Sequence, residues 1–399
     1  MSDSARPAVE DWATDFDVLD PLFTADPAPV YAELRGRCPV AHTERWSGAW
    51  MPTRYEDIVA VARDTEHFSS RDVQVIPFEG LDRLPASPPI TSDLPDHTWQ
   101  RRLILPFFSP HVVERYEQST RQMCQEFMAA ITAPGRHHVD AAVEYAQQIP
   151  PRIIAEVIGV PDEDIDLFIG WVRALLENGP AAPEERLAAR KEMLSYFYGV
   201  LEDRRRTRRD DNTSYLLDLD VDGEPLRDGH IVATLTLLLV AGIDTTWSSI
   251  GSALLHLATH PDDRRRLVAE PELMDAAVEE FLRAYGPVTM ARVVDSDTVI
   301  GEQPVRAGDK VLLAFPAANR DPEQFDRPDE VIIDRAHNRH VAFGVGIHRC
   351  AGSNLARMEM KVAIAEWLAA LPEFSLDPLG EVTFAGGQVR GPRTLPLVF

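Results

Sequence analysis

Near the C-terminus, the run Phe343-Gly344-Val345-Gly346-Ile347-His348-Arg349-Cys350-Ala351-Gly352 sets one cysteine in a glycine frame. Three glycines in ten positions allow left-handed backbone and leave no side chain between the loop and a planar ligand. The residues that follow have helical spacing, with Leu355, Met358, Val362, Ala365 and Leu368 on one face and Pro372 as the stop. Cys350 is therefore expected at a helix N-terminus. Partial positive charge there favours a thiolate, which a free cysteine of pKa about 8.5 populates only slightly at neutral pH. The chemistry on offer is one anionic sulfur ligand for an iron, which would complete the deprotonation. A lone cysteine is otherwise a buried, inert thiol. A zinc site would need about four ligands, and neither Cys38 nor Cys124 helps to assemble one.

A second chemical stretch interrupts a long helical pattern from Asp228, the expected cap, to Thr259, just before Pro261. Midway, Ala241-Gly242-Ile243-Asp244-Thr245-Thr246 breaks its apolar face. Small Ala241 and Gly242 clear space beside the helix, while an acid and an alcohol in a buried stretch carry a desolvation cost that needs a reason. Taken alone, the pattern suits a threonine that bonds back to its own helix beside a solvated aspartate. Glu280 and Arg283, three apart on one helix face, form an E-x-x-R pair. His97 and Arg101 lie one turn apart in Asp96-His97-Thr98-Trp99-Gln100-Arg101-Arg102, which equally suits a capped surface helix.

Together these runs resemble the cytochromes P-450, the haem-thiolate monooxygenases. The resemblance implies a mainly α fold with a small β lobe and a long central helix over a haem. It makes Cys350 the axial ligand of iron in haem b (iron protoporphyrin IX), with Phe343, Gly344 and Ala241 against the porphyrin. Thr245 would take the oxygen-side hydrogen bond and Asp244 the proton gate. His97, Arg101, Arg292 and His348 would hold the propionates, arginine through its bidentate fork. Glu280, Arg283 and Arg327 would form a structural cluster, and Val240, Ala241, Val288 and Thr289 would line the substrate pocket. The runs around Asp244 and Cys350 also look like the haem domains of bacterial members fused to a reductase.

The chain must position these groups within 399 residues that show no Gly/Ser linker and no repeat. The expected organisation is an extended N-terminal arm over residues 1–30, then one haem domain over 31–399. Pro77 to Pro95, with five prolines, is expected to be a long loop, and the resemblance puts it at the pocket's border. A net charge of −24 argues against nucleic acid and anionic membranes as partners. Three scattered cysteines make no disulfide framework and suit a reducing cytoplasm. Met1-Ser2-Asp3-Ser4-Ala5-Arg6-Pro7 has no apolar core, and the apolar run Leu235 to Ile243 is short of the ~20 residues of a span.

The expected reaction is insertion of one atom of O2 into a small lipophilic substrate, by hydroxylation or O-dealkylation. Without a cysteine cluster or a G-x-G-x-x-G in a βαβ unit, electrons must come from a separate partner. A ferredoxin with its NAD(P)H-linked reductase is expected, docking near Arg101, Arg102 and Arg349. Two alternatives stand beside this. A peroxide-driven hydroxylase of the same fold would commonly replace the Asp244-Thr245 pair, and a non-catalytic haem carrier or sensor would give no spectral response to organic ligands.

Overall fold

The computed structural model describes residues 7–77, 86–177 and 182–399, and within them the chain is mainly helical with small sheets. At its centre runs the 32-residue helix Asp228–Thr259, about 48 Å long at 1.5 Å per residue. Ile231, Leu235, Leu239, Ile243, Ile250, Leu254 and Leu257 along it are fully buried. A helix apolar on more than one face has to be surrounded. The helices Ile149–Ile158, Pro183–Arg206 and Ser353–Ala370 do this, and each buried Leu or Ile stabilises the fold by roughly 1.5–3 kcal/mol. By length and composition the central helix could cross a membrane, but 67% of its most apolar window is buried, as in a core helix.

The ends of that helix follow from its sequence with one change. Asp228 is the first helical residue, not the cap; extended Arg227 precedes it, and the Asp228 carboxylate pairs with Arg205. An acid in the first turn still complements the helix dipole. The basic run Arg204-Arg205-Arg206-Thr207-Arg208-Arg209, which ends the helix Pro183–Arg206, is not wholly solvated. Arg204 is buried, and its Nε donates to Asp211 Oδ2 at 2.6 Å.

The β lobe is a five-stranded sheet in the order Val40–Thr43, Ala49–Pro52, Lys310–Ala314, Thr289–Val294, Phe68–Ser69. Its core holds Met51, Ile58, Ala291, Val311 and Leu313. Residues 7–30 are not simply extended: Trp12–Asp15 and Pro21–Ala25 are short helices, and a third, Ala28–Arg37, starts before Tyr31. The acids that suggested an arm are caps, with Asp11 Oδ1 accepting from the Ala13 N–H at 3.0 Å and Asp20 Oδ1 from Leu22 at 2.8 Å. Residues 1–6, 78–85 of the proline-rich loop, and Pro180 lie outside the described residues.

The glycine-rich tail forms a hairpin, Thr383–Ala385 paired antiparallel with Gly391–Thr394. It presses on the central helix so closely that a Cβ on Gly391 would lie 2.3 Å from Ser248 Cβ. This contact brings Arg393 to the middle of the helix.

Candidate functional site

The cysteine loop takes the shape its glycines allow. Gly344 (φ +67°) and Gly346 (φ +74°) are left-handed, and a Cβ on Gly346 would sit 2.7 Å from the Ala62 carbonyl oxygen. The Cys350 N–H donates to the Phe343 carbonyl at 2.8 Å, closing the loop. Behind it, Arg357 lies 4.5 Å over the Phe343 ring and is held by Glu279 at 2.5 and 2.9 Å. Cys350 precedes Gly352, the cap of helix Ser353–Ala370.

Cys350 is exposed, but onto an interior cavity of about 340 Å³. Enclosure there decides its protonation. Desolvation raises the thiol above its ordinary pKa, outweighing the Gly352 N–H and the guanidiniums of Arg101, Arg349 and Arg357, which act to lower it. The expected thiolate is thus not produced by the helix end alone; a metal must complete the deprotonation.

Arg101, Arg292 and His348 line this cavity, and His97 packs behind His348. The rings of His97 and His348 are 4.4 Å apart, and His348 Nε2 is 2.9 Å from Ser70 Oγ. His97 Nε2 is buried and has no hydrogen-bond partner among the described residues. Arg292 is 5% exposed, and its one hydrogen bond among the described residues is from Nη1 to the adjacent Ala291 carbonyl, 2.8 Å. Burial, against the weaker pull of Asp93, lowers its pKa to about 10. Burial and then Arg292, His97 and Arg101 push His348 down to about 3. Buried cations are ordinarily paired, so this cluster fits a ligand that brings anions, as the two carboxylates of a porphyrin would.

Asp244 and Thr245 part company. Thr245 lines the cavity and its Oγ1 donates to the Ala241 carbonyl at 2.8 Å, the back-bond to its own helix. Asp244 is fully buried and does not line the cavity; neighbouring residues on a helix point about 100° apart. Asp244 Oδ1 accepts from Arg393 Nη2 at 2.7 Å and from Ser248 Oγ at 3.1 Å, and Arg393 also pairs with Glu177. Burial raises the pKa of both carboxyls, with Arg393 opposing. Arg393 was missed because nothing local marks it, although a buried aspartate demands a cation. Gly242 lets the helix Ile149–Ile158 approach, since a Cβ there would lie 2.9 Å from Ile154 Cδ1.

Two assignments change. Glu280 and Arg283 pair at 2.8 Å with neither side chain exposed, but the third partner is Arg335, whose Nε is 2.9 Å from Glu280 Oε2. Arg327 sits on a left-handed surface turn (φ +46°), 57% exposed, and pairs with Glu330 and Asp326. In the pocket, Val240, Ala241 and Val288 line the cavity together with Phe343 and Gly344, but Thr289 does not. Strand alternation is the reason: Val288, Met290 and Arg292 share the cavity face, while Thr289 turns to the Tyr31 hydroxyl. From the proline-rich loop, Pro89, Ile90 and Thr91 line the cavity as well.

A sulfur loop, a cluster of buried cations and a continuous central helix facing one cavity define a site of the helical haem-protein class. The sequence profile described as Cytochrome P450 matches residues 180–383. Vitamin D(3) 25-hydroxylase of Pseudonocardia autotrophica is 37% identical over 369 residues, covering 90% of each chain. Mycinamicin IV hydroxylase/epoxidase of Micromonospora griseorubida is 32% identical over 377 residues, covering 92% of this chain and 94% of that one. The solved structure of cytochrome P450 CYP109Q5 from Chondromyces apiculatus matches with a TM-score of 0.87 at 34% identity, covering 97% of this chain and 98% of that one. The chain belongs to the cytochrome P450 family and is a P450 monooxygenase.

Proposed function

We propose that the chain holds haem b with Cys350 as axial ligand and inserts one atom of O2 into a small lipophilic substrate, by hydroxylation or O-dealkylation, in the cytoplasm. Its electrons come from a ferredoxin and a reductase that draws on NAD(P)H. The observation that carries this reading is the convergence of the Cys350 sulfur, the cation cluster and Thr245 on one cavity. Relatives named as hydroxylases support the reaction.

Bound haem would supply an iron that takes up O2 and the oxidising power for the C–H bond. The chain's residues supply the rest. Arg101, Arg292, His97 and His348 would meet the propionates, and the small side chain of Ala241 on the cavity wall would leave room for the bound group. The Thr245 hydroxyl can turn from the Ala241 carbonyl to a hydrogen bond in the cavity. Asp244, held by Arg393 and kept above the ordinary carboxylate range by burial, takes protons from the far side of the helix and passes them on through water. Glu280, Arg283 and Arg335 fix the segment before the sulfur loop.

Reduction of the purified protein under carbon monoxide is expected to give the absorption of a thiolate-ligated haem. A spectrum like that of a histidine-ligated haem in folded protein, or no bound porphyrin, would overturn the assignment. Exposed Arg102 and Arg349 beside Arg101 suit an acidic ferredoxin. An unchanged reduction rate after reversing those charges would place docking elsewhere.

A further inference from the structure

Beyond the groups the reaction uses, the cavity carries positive charge. Arg186 and Arg190, one turn apart on the helix Pro183–Arg206, both line it. Arg186 donates to the Pro77 carbonyl at 3.3 Å and to Gln74 Oε1 at 3.2 Å, so its guanidinium is already held. Arg190 makes no hydrogen bond or ion pair among the described residues, in a chain with 64 acidic residues against 40 basic ones. Burial lowers its pKa. Arg186 is pushed down to about 10 by burial and by the charge of Arg190.

The other charges around the cavity are accounted for. Arg71 pairs with Asp295, and Asp72 accepts from Lys310 at 3.3 Å. Arg101, Arg292, His97 and His348 form the cluster that fits the porphyrin carboxylates. Glu359 also lines the cavity, and burial raises its pKa well above the usual carboxylate range. Much of the remaining wall is apolar, as with Ile90, Leu175, Leu237, Val240 and Met290.

We propose that Arg190, one turn from Arg186, is a carboxylate-binding subsite, and that the substrates are amphipathic acids whose apolar body extends towards Thr245 while the carboxylate pairs with the guanidinium. This deepens the reading of the cavity as the substrate site of a monooxygenase and rests on it. A half-buried guanidinium facing an apolar cavity gains a bidentate, charge-assisted partner when such an acid enters. An alcohol or ester of the same length brings no charge to it.

The test uses the holoenzyme and matched probes: dodecanoic and hexadecanoic acid against dodecanol and hexadecanol, at pH 7.5. Binding is read both by the Soret shift and by calorimetry. The acids are expected to bind about tenfold to a hundredfold more tightly than the alcohols. Arg190→Gln should abolish that preference by weakening the acids alone, and Arg190→Lys should restore part of it. Equal affinities in the wild type, no binding of either acid, or an Arg190→Gln loss shared by acid and alcohol would each overturn the subsite. The carbon monoxide spectrum of each variant checks that the haem site is intact. Failure of the monooxygenase reading would appear there, whereas failure of the subsite would leave that spectrum normal and the acid preference absent.

Discussion

Removing Arg335 tests the assignment that separates it from Arg327. Glu280 is fully buried and accepts from Arg283 Nε and Nη2 at 2.8 Å, Arg335 Nε at 2.9 Å, Asn338 Nδ2 at 3.1 Å and the Ile332 N–H at 2.8 Å. Arg335 also donates to the Asp326 carbonyl at 2.7 Å, so its loss strips two segments of their tie to the carboxylate. Burial raises the Glu280 pKa, but Arg283 and Arg335 outweigh it and hold the carboxyl below its ordinary value. Taking one cation from a buried cluster costs about 3–5 kcal/mol, and because Arg283 remains, the lower figure applies to Arg335→Leu. With an unfolding entropy of about 2.1 cal/mol/K per residue, a loss of about 3 kcal/mol lowers Tm by about 4 °C in a chain of 399 residues. Arg327→Leu removes only exposed pairs worth about 0–1 kcal/mol, so its Tm should fall by no more than about 1 °C. Thermal melts followed by far-UV circular dichroism and by Soret absorbance give both numbers. Equal losses, or a larger one for Arg327→Leu, would refute the reasoning.

Arg393→Met should slow product formation about a hundredfold, as should Asp244→Asn, while the substrate-induced Soret shift stays unchanged. A shift lost along with turnover would make Arg393 a packing residue instead. On the acid side, burial raises the Glu279 pKa, but Arg357 and His340 overcome it and bring the carboxyl down to about 2 from 4.5. A depressed acid adds stability that is present above its unfolded pKa and lost as pH falls through its folded one. The wild type should therefore lose stability between pH 4.5 and 2, and Glu279→Gln should flatten that part of the curve in urea melts across the range; an unaltered slope would remove Glu279 from acid unfolding.

The sulfur loop and the central helix were legible because each is written in consecutive residues: glycines at fixed spacing before an apolar helix face, and an apolar run broken by small, acidic and hydroxyl residues. Thr289 was misplaced for want of a phase. If Arg292 faces the cavity, alternation already puts Met290 and Val288 beside it and Thr289 behind. Arg335 and Arg393 were harder, because partners of Glu280 and Asp244 lie 55 and 149 residues away and no short-range pattern ties them. Arg327 drew the assignment through the resemblance, yet it sits on a left-handed turn with its side chain 57% exposed. The N-terminal acids misled in the opposite direction, since a capping aspartate and a loop aspartate read alike until the N–H groups beside them are seen.

The place where Gly346 meets Ala62 gives the loop a mechanical stop. The reach of the sulfur into the cavity is gauged from the helix Tyr55–Arg63, on which the glycine backbone rests, as well as from the helix behind it. A single methyl at position 346 would meet a backbone carbonyl that cannot bend aside and would force the loop away from it. Residues of Tyr55–Arg63, none of which lines the cavity, thereby govern how far the ligand atom projects.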